Sequence, residues 1–144
     1  MQAIDTAIKI ILVEDDSEIA TLTISAFRAC QVKNEIEHFV DGEEVLDYLF
    51  RKADTGRFRA KIILLDLKLP KLNGVQVLQQ LKSNPLTKAI PVIILTTSDL
   101  ESDRINCYNA GANSYIVKPV DYVTYMKSIK LVSEYWLKLN RSIF

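Results

Sequence analysis

Three carboxylates, one hydroxyl and one ammonium group stand directly after short apolar runs of the sequence. These are Glu14 and Asp15, Asp66, Thr96 and Lys118. Clustered carboxylate oxygens are the ligands that a hard cation such as Mg2+ prefers, and the cation would relieve repulsion among three acids. An aspartate can act as a nucleophile and form an aspartyl-phosphate, while a lysine and a threonine can stabilise charge on a transferred phosphoryl group. If these side chains meet, they suit phosphoryl transfer to a carboxylate.

Each of these residues also has an ordinary explanation when it stands alone. An acidic pair after a strand commonly caps a helix, and an aspartate before a loop containing proline and glycine commonly forms a turn. A threonine at a strand end is commonly a cap, and a lysine before a proline is commonly a surface residue. The chemical interpretation gains weight because all of them lie where predicted strands end, and ligands of open α/β sheets bind there.

The elements that would position these residues form five strand–helix units. Predicted strands cover residues 8–13, 35–40, 62–65, 91–95 and 113–117, and a helical pattern follows each of them. Alternating strands and helices imply a parallel sheet with helices on both faces. Strands one, three, four and five are apolar enough for the interior, whereas the more polar strand two suits an edge. The fold class is therefore α/β, a flavodoxin-like (βα)5 doubly wound parallel sheet with strand order 2-1-3-4-5.

Length and composition limit the possible roles. The 144 residues suit one domain over 1–144 with a core at about 8–138, and the few residues after the last helix leave no room for an output domain. Eighteen basic and 18 acidic residues give zero formal net charge, which argues against direct nucleic-acid binding. No apolar run could span a membrane and no signal peptide is evident, so we expect a cytoplasmic protein. The isolated Cys30 and Cys107 do not form a metal-binding pattern.

The joint pattern resembles the receiver domain of two-component response regulators over roughly residues 8–138. The matching residues are Glu14-Asp15, the segment from Asp66 to Pro70, Gly74, Thr96 and Lys118-Pro119. The resemblance implies that Asp66 accepts a phosphoryl group from the phosphohistidine of a histidine kinase. It implies a Mg2+ ion held by Glu14, Asp15, Asp66 and the backbone carbonyl of Lys68. It also implies that the protein is a switch and not an enzyme. Such a switch catalyses only its own phosphotransfer and autodephosphorylation.

The same resemblance assigns roles to the remaining residues of the pattern. Thr96 would bind a phosphoryl oxygen and move on activation, and Tyr115 would be an aromatic switch coupled to it. Lys118 would pair with the phosphate, and the Lys118–Pro119 bond is expected to be cis. Two positions depart from many receivers, namely Lys68, two residues after the acceptor, and Thr97, directly after Thr96. Because of both departures, we expect dephosphorylation to be slower than is typical of receivers, and we predict a long-lived phosphoryl group.

A finer resemblance is to the small stand-alone regulators paired with bacterial phytochromes. It rests on the segments LLDLKLPKLNG and IPVIILTTSD, the long connection before strand three, and the late Tyr135-Trp136-Leu137. The resemblance implies a bacterial phytochrome as the kinase partner.

Three other interpretations compete with a phosphorylation switch. A phosphatase with an aspartate nucleophile usually needs a second acid two residues later as general acid, but Lys68 occupies that position. A flavodoxin-like cofactor binder would need a phosphate-cradling loop after strand one, where Glu14-Asp15-Asp16 stands instead. The main alternative is a phosphorylation-independent docking module with the receiver fold, whose usual mark is a lost acid, threonine or lysine. None of those residues is lost here.

The carboxyl-terminal helix is predicted to run from about residue 121 to 139 and to form a homodimer or partner surface. Apolar side chains recur along it at alternating spacings of four and three, as in packed helix pairs. They are Tyr125, Ile129, Val132, Trp136 and Leu139. The alternative is that this stripe faces the domain's own sheet, at least in its first half.

Overall fold

The computed structural model describes residues 8–55 and 59–142. Within these residues five β-strands alternate with five α-helices, and a π-helical segment follows the last helix. The strands are β1 Lys9–Val13, β2 Ile36–Phe39, β3 Ala60–Leu65, β4 Val92–Thr96 and β5 Ser114–Val117. The helices are α1 Ser17–Ala29, α2 Gly42–Ala53, α3 Gly74–Ser83, α4 Glu101–Asn109 and α5 Tyr122–Val132, and the π-helical segment is Ser133–Leu139. None of the helices in these two ranges is long and apolar enough to cross a membrane.

The five strands form one parallel sheet in the order β2-β1-β3-β4-β5. This is the flavodoxin-like order predicted from the sequence, which is therefore confirmed. The register aligns Val13 with Leu65 and Thr96 with Val117, so the carboxyl ends of the strands lie at one edge of the sheet. The residues that directly follow β1, β3 and β5 consequently meet at that edge.

Both faces of the sheet are buried, because helices cover each of them. Successive strand residues point to opposite faces, so each central strand supplies side chains to two separate cores. One core contains Ile11, Val13, Ile63, Leu65, Ile94 and Cys107, together with residues of α2 and α3. The other contains Ile10, Leu12, Ile62, Leu64 and Ile93, together with residues of α1 and α5. Burial on both faces explains why β1, β3 and β4 are continuous apolar runs rather than alternating ones.

The two edge strands differ in how they are covered. In β2, the first three residues are only partly buried, and Glu37 pairs with Lys9 of β1 at 3.0 Å. The edge position predicted for this strand is confirmed. Strand five forms the opposite edge, as the predicted order requires, although its apolar sequence would also suit the interior, and all four of its residues are partly buried. Its apolar sequence reflects contacts on both faces, where Tyr115 packs on one core and Ile116 on the other.

The carboxyl-terminal stripe does not form the predicted surface. Tyr125, Ile129 and Val132 are 5%, 0% and 3% exposed and belong to the domain's own core, so assigning these three to an interface is wrong. A single α-helix to residue 139 is also wrong, because α5 ends at Val132 and a π-helix follows. The longer i to i+5 repeat of a π-helix changes which side chains face the core. Leu137 is therefore buried and Leu139 is exposed.

Candidate functional site

An acidic cluster lies at the carboxyl edge of the sheet. Glu14 and Asp15 directly follow β1, and Asp66 directly follows β3, its neighbour in the sheet. One carboxylate oxygen from each of the three lies within 4.8 Å of the others. Glu14 and Asp66 are buried, whereas Asp15 is exposed. The sheet register therefore brings together the three acids that the sequence predicted would meet.

Lys118 holds the two buried acids together. Its ammonium donates to Asp66 Oδ2 at 3.1 Å and makes a closer ion pair with Glu14 Oε1. Burial by itself would lower the pKa of Lys118, but the hydrogen bond to Glu14 and the charges of Asp66 and Glu14 outweigh burial and raise it. Burial raises the pKa of Glu14, against the opposing effect of Lys118. The site is thus a buried cluster in which one cation serves two anions.

Thr96 is fully buried at the end of β4 and is connected to Tyr115 through Ser98. The Ser98 backbone N–H donates to Thr96 Oγ1 at 3.3 Å, and the Tyr115 hydroxyl donates to the Ser98 carbonyl at 2.9 Å. The Lys118 backbone N–H donates to the Thr96 carbonyl at 2.6 Å, so the ends of β4 and β5 are joined. The structure therefore provides a short bonded path from the predicted threonine to the predicted aromatic residue.

The loop after β3 turns back tightly around Asp66. Asp66 Oδ1 accepts from the Lys68 backbone N–H at 3.3 Å, and the Gly74 N–H donates to the Leu67 carbonyl at 2.8 Å. A Cβ atom at Gly74 would lie 2.3 Å from the Asp66 carbonyl oxygen, a distance that no side chain tolerates. Gly74 is therefore required where α3 begins, while the Lys68 side chain itself is exposed.

The same loop is fastened to the start of α2. Lys71 adopts a left-handed backbone with φ of 67°, a conformation that costs a non-glycine residue about 1–2 kcal/mol. Its ammonium lies 3.4 Å from Asp41 Oδ2, and Asp41 Oδ1 accepts from the Glu44 N–H as the cap of α2. The Glu44 N–H and the Lys71 charge lower the pKa of Asp41. The capping carboxylate thus helps to hold a strained loop next to Asp66.

The peptide bond between Lys118 and Pro119 is not cis. No peptide bond in the described ranges is cis, so the isomer expected from the resemblance is wrong for this structure. The trans form is also the intrinsically preferred one for an X–Pro bond, by about 0.5–1 kcal/mol. Lys118 reaches Glu14 and Asp66 with the trans bond in place.

The acidic cluster fits a divalent cation with a preference for oxygen. Lys118 binds one oxygen of Glu14 and one of Asp66, and within the described part of the chain the second oxygen of each accepts only from a backbone N–H. The Asp15 side chain makes no hydrogen bond or ion pair within the described ranges and is exposed to solvent. Three carboxylates without nitrogen or sulfur donors match Mg2+ rather than zinc. Glu14, Asp15 and Asp66 would hold the ion, and it would supply positive charge near a phosphoryl group.

Several contacts around the site involve residues that the sequence analysis did not single out. His38 Nε2 lies 2.7 Å from the Glu14 carbonyl oxygen, and the Ser98 hydroxyl donates to the Asp103 carboxylate. The pair of Asp41 and Lys71 is a third example. All three join segments that are distant in sequence or depend on loop conformation, so periodicity and strand ends give no indication of them.

Comparison with known proteins identifies the family of this arrangement. A family model described as the response regulator receiver domain matches residues 10–130. The probable methanogenesis regulatory protein FilR2 of Methanothrix harundinacea is 40% identical over 133 residues, which are 92% of this chain and 86% of that protein. The response regulator Rcp1 of Synechocystis sp. is 33% identical over 130 residues, which are 90% of this chain and 88% of Rcp1.

Solved structures give the same result. The phosphorylated cyanobacterial phytochrome response regulator RcpA matches with a TM-score of 0.88 and 35% identity, covering 94% of this chain and 98% of RcpA. The Mn2+-bound form of Rcp1 matches with a TM-score of 0.86 and 31% identity, covering 94% of this chain and 99% of Rcp1. The similarity to phytochrome response regulators predicted from sequence is thereby confirmed.

Proposed function

Because the chain belongs to the response regulator receiver domain family, we propose that it accepts a phosphoryl group on Asp66 from the phosphohistidine of a histidine kinase. Receiver domains partner with histidine kinases in two-component systems. The observation that carries the proposal is the position of Asp66. Asp66 directly follows the central strand β3, belongs to the acidic cluster and contacts Lys118.

The proposed transfer is a displacement at phosphorus. An Asp66 carboxylate oxygen forms a bond to phosphorus while the bond between phosphorus and the donor imidazole nitrogen breaks, and the electron pair of that bond leaves with the imidazole. The Lys118 ammonium, already 3.1 Å from Asp66 Oδ2, can pair with a phosphoryl oxygen, and the Thr96 hydroxyl can donate to another. The chain catalyses its own phosphotransfer and autodephosphorylation in this proposal and turns over no other substrate.

The proposal includes Mg2+ as the cofactor, held by Glu14, Asp15, Asp66 and the Lys68 carbonyl. Support comes from the oxygens of the three acids within 4.8 Å of one another and from the Mn2+-bound form of the relative Rcp1. When bound, the ion neutralises part of the charge of the acids and the phosphoryl group. Lys118 would then not be the sole cation beside the two buried carboxylates and could pair with a phosphoryl oxygen.

We propose that the phosphorylated chain signals through changed protein–protein contacts. The bonded path from Thr96 through Ser98 to Tyr115 supports this, because movement of Thr96 toward a phosphoryl group would change the hydrogen bond of Tyr115. The alternative, a docking module that needs no phosphorylation, has less support, because the acids, threonine and lysine of the site are all present.

A phytochrome-like kinase in the cytoplasm is the partner that we propose. Support comes from the likeness to RcpA and Rcp1, of which RcpA is described as a phytochrome response regulator. The free thiols of Cys30 and Cys107 agree with a reducing compartment. The proposal excludes direct binding to nucleic acid, in keeping with the zero formal net charge.

We also propose a homodimer, but on a surface that keeps only Leu139 from the predicted stripe. Leu131, Tyr135 and Leu139 are 65%, 48% and 71% exposed and follow one another at intervals of four residues. We call these three the C-terminal apolar surface. Sedimentation of the wild type and Leu131→Glu, with and without acetyl phosphate, tests this part. A wild type that stays monomeric at tens of micromolar in both states would contradict it.

Mass spectrometry after incubation with acetyl phosphate and Mg2+ tests the central proposal. We expect the wild type to gain one phosphoryl group that hydroxylamine removes, since hydroxylamine attacks acyl phosphates. Asp66→Ala should gain none, and Asp103→Ala, which alters an acid outside the cluster, should still gain one. Equal phosphoryl uptake by the wild type and Asp66→Ala would overturn the assignment of the acceptor.

A further inference from the structure

The sequence contains one histidine, His38, and its ring contacts the backbone of Glu14, a residue of the acidic cluster. His38 belongs to β2, where it is paired with Leu12 of β1. Its Nε2 lies 2.7 Å from the carbonyl oxygen of Glu14, one residue beyond the end of β1. A carbonyl oxygen can only accept a hydrogen bond, so Nε2 must carry the proton and donate.

The hydrogen bond from His38 lies directly after the last backbone hydrogen bond between β1 and β2. The Glu14 backbone N–H donates to the Phe39 carbonyl at 3.0 Å, which is the last backbone bond between the β1 segment and β2. The next carbonyl along the chain, that of Glu14, accepts from the His38 side chain instead of from backbone. The His38 ring thus orients the peptide unit that joins Glu14 to Asp15.

That peptide unit carries Asp15, so its orientation affects the position of the Asp15 carboxylate. The Glu14 side chain is already fixed, by Lys118 on one oxygen and by the Asp16 N–H, at 3.2 Å, on the other. The Asp15 carboxylate has no hydrogen-bond or ion-pair partner among residues 8–55 and 59–142, so no such contact fixes its position independently of the backbone. Of the two acids that follow β1, Asp15 therefore depends more on the hydrogen bond from His38.

We propose that His38 is a positioning residue for the divalent cation. By donating to the Glu14 carbonyl, it holds the Glu14–Asp15 peptide so that the Asp15 carboxylate faces the same point as those of Glu14 and Asp66. It touches neither the ion nor the phosphoryl group. This inference rests on the proposed function, because it concerns the cation site of that function.

Two amide variants separate the hydrogen bond from the rest of the side chain. The amide nitrogen of glutamine reaches about as far as Nε2 of histidine, whereas that of asparagine reaches only as far as Nδ1. His38→Gln therefore keeps the donor in place, and His38→Asn keeps the polarity and loses the reach. Loss of one hydrogen bond predicts Mn2+ binding weaker by about three- to tenfold in His38→Asn, with His38→Gln close to the wild type.

Electron paramagnetic resonance of free Mn2+ measures the affinity, and the urea unfolding midpoint shows that each variant is folded. The rate of phosphorylation by acetyl phosphate against Mg2+ concentration is the second measurement. We expect His38→Asn to need more Mg2+ for half-maximal rate and to reach nearly the wild-type rate at saturation. If His38 had only a structural role, its replacement would not shift the Mg2+ concentration for half-maximal rate while keeping the maximal rate unchanged.

The possible outcomes are distinct. Weaker Mn2+ binding in His38→Asn together with near-normal binding in His38→Gln supports the inference. Equal Mn2+ binding in the wild type and His38→Asn overturns it and leaves the proposed function intact, as does an equal loss in both variants. A wild type that binds neither Mn2+ nor Mg2+ overturns the cation site itself, and this inference with it.

Discussion

Two lysines at opposite ends of the sheet bind oxygen atoms in different ways. Lys118, at the carboxyl edge, faces the carboxylates of Glu14 and Asp66. Lys82, at the end of α3, donates to three neutral oxygens near the starts of β4 and β5. These are the carbonyls of Lys88 and Ile90 at 3.0 and 2.9 Å and Oδ1 of Asn113 at 2.9 Å.

The charge of the partners decides what each lysine can do. Burial lowers the pKa of Lys82, because neutral oxygens compensate little of its lost hydration, whereas the acids raise the pKa of Lys118 despite burial. Lys82 joins the loops before β4 and β5 and has no acidic partner among residues 8–55 and 59–142. Lys118 forms ion pairs with two carboxylates, Glu14 and Asp66. A phosphoryl group or a cation that enters the site can therefore replace one of these contacts. The same type of side chain thus contacts neutral oxygens at one end of the sheet and, in the proposed function, takes part in phosphoryl transfer at the other.

The largest expected effect concerns Lys118. Lys118→Met should slow phosphorylation by acetyl phosphate about 100-fold or more, because it removes the cation that pairs with the phosphoryl group. Mass spectrometry at timed intervals measures the rate at saturating Mg2+. A phosphorylation rate within a few-fold of the wild type would contradict the proposed role of Lys118 in phosphoryl transfer.

Lys82→Met should affect stability rather than phosphorylation. Loss of its three hydrogen bonds should lower the free energy of unfolding by about 1–2 kcal/mol, since the oxygens it leaves are partly open to water. Urea unfolding measures this loss, and the phosphorylation rate should stay within about twofold of the wild type. A large loss of phosphorylation in a folded Lys82→Met protein would show that the two ends of the sheet are not separate in function.

A smaller effect is expected from the two exposed residues next to the site. Lys68→Asn removes a positive charge near Asp66, and Thr97→Ala opens space beside Thr96; both side chains are exposed in the structure. Each change should shorten the lifetime of the phosphoryl group by about two- to fivefold. Decay of phosphorylated protein after removal of acetyl phosphate gives the lifetime. If neither variant decays faster, Lys68 and Thr97 only face solvent.

The smallest effect is on the pH dependence of stability. The lowered pKa of Lys82 means that the unfolded chain binds more protons as pH approaches 10.5, so stability rises with pH in that range. The raised pKa of Lys118 means that its contribution is complete below 10.5 and is lost as pH rises further, through the folded value. Destabilisation by Lys82→Met should therefore grow toward pH 10.5, and that by Lys118→Met should shrink above it. Urea midpoints along an alkaline pH series measure both trends, and parallel trends would contradict the assignment.

The sequence was sufficient for the sheet and for the cluster at its edge. Buried parallel strands are read as apolar runs, and the residue after each run must lie at the carboxyl edge, whatever the details of packing. For this reason Glu14, Asp66 and Lys118 could be predicted to meet. Polarity alone did not mark β5 as an edge strand, because helices on both faces make an edge strand apolar as well; the predicted strand order placed it there.

The carboxyl-terminal stripe could not be predicted, because it depends on the type of helix. A periodicity argument assumes 3.6 residues per turn, and the π-helical segment departs from this after Val132. The side chain of Ser133 donates to the Ile129 carbonyl at that point, a contact that the sequence does not announce. The left-handed Lys71 and the donor His38 were missed for a similar reason, since each is defined by tertiary contacts.

The single tryptophan gives the molecule one optical property that follows from its position. Trp136 lies in the π-helical segment, partly buried, with its ring edge-on to Tyr135 at 4.9 Å between centroids. It is part of the segment after α5 and not of the loops that carry Asp66 or Asp15. The intrinsic fluorescence of this protein is therefore a remote reporter. A change in emission on adding a phosphoryl donor would therefore report a conformational change in the carboxyl-terminal segment, and not the binding of the donor near Asp66.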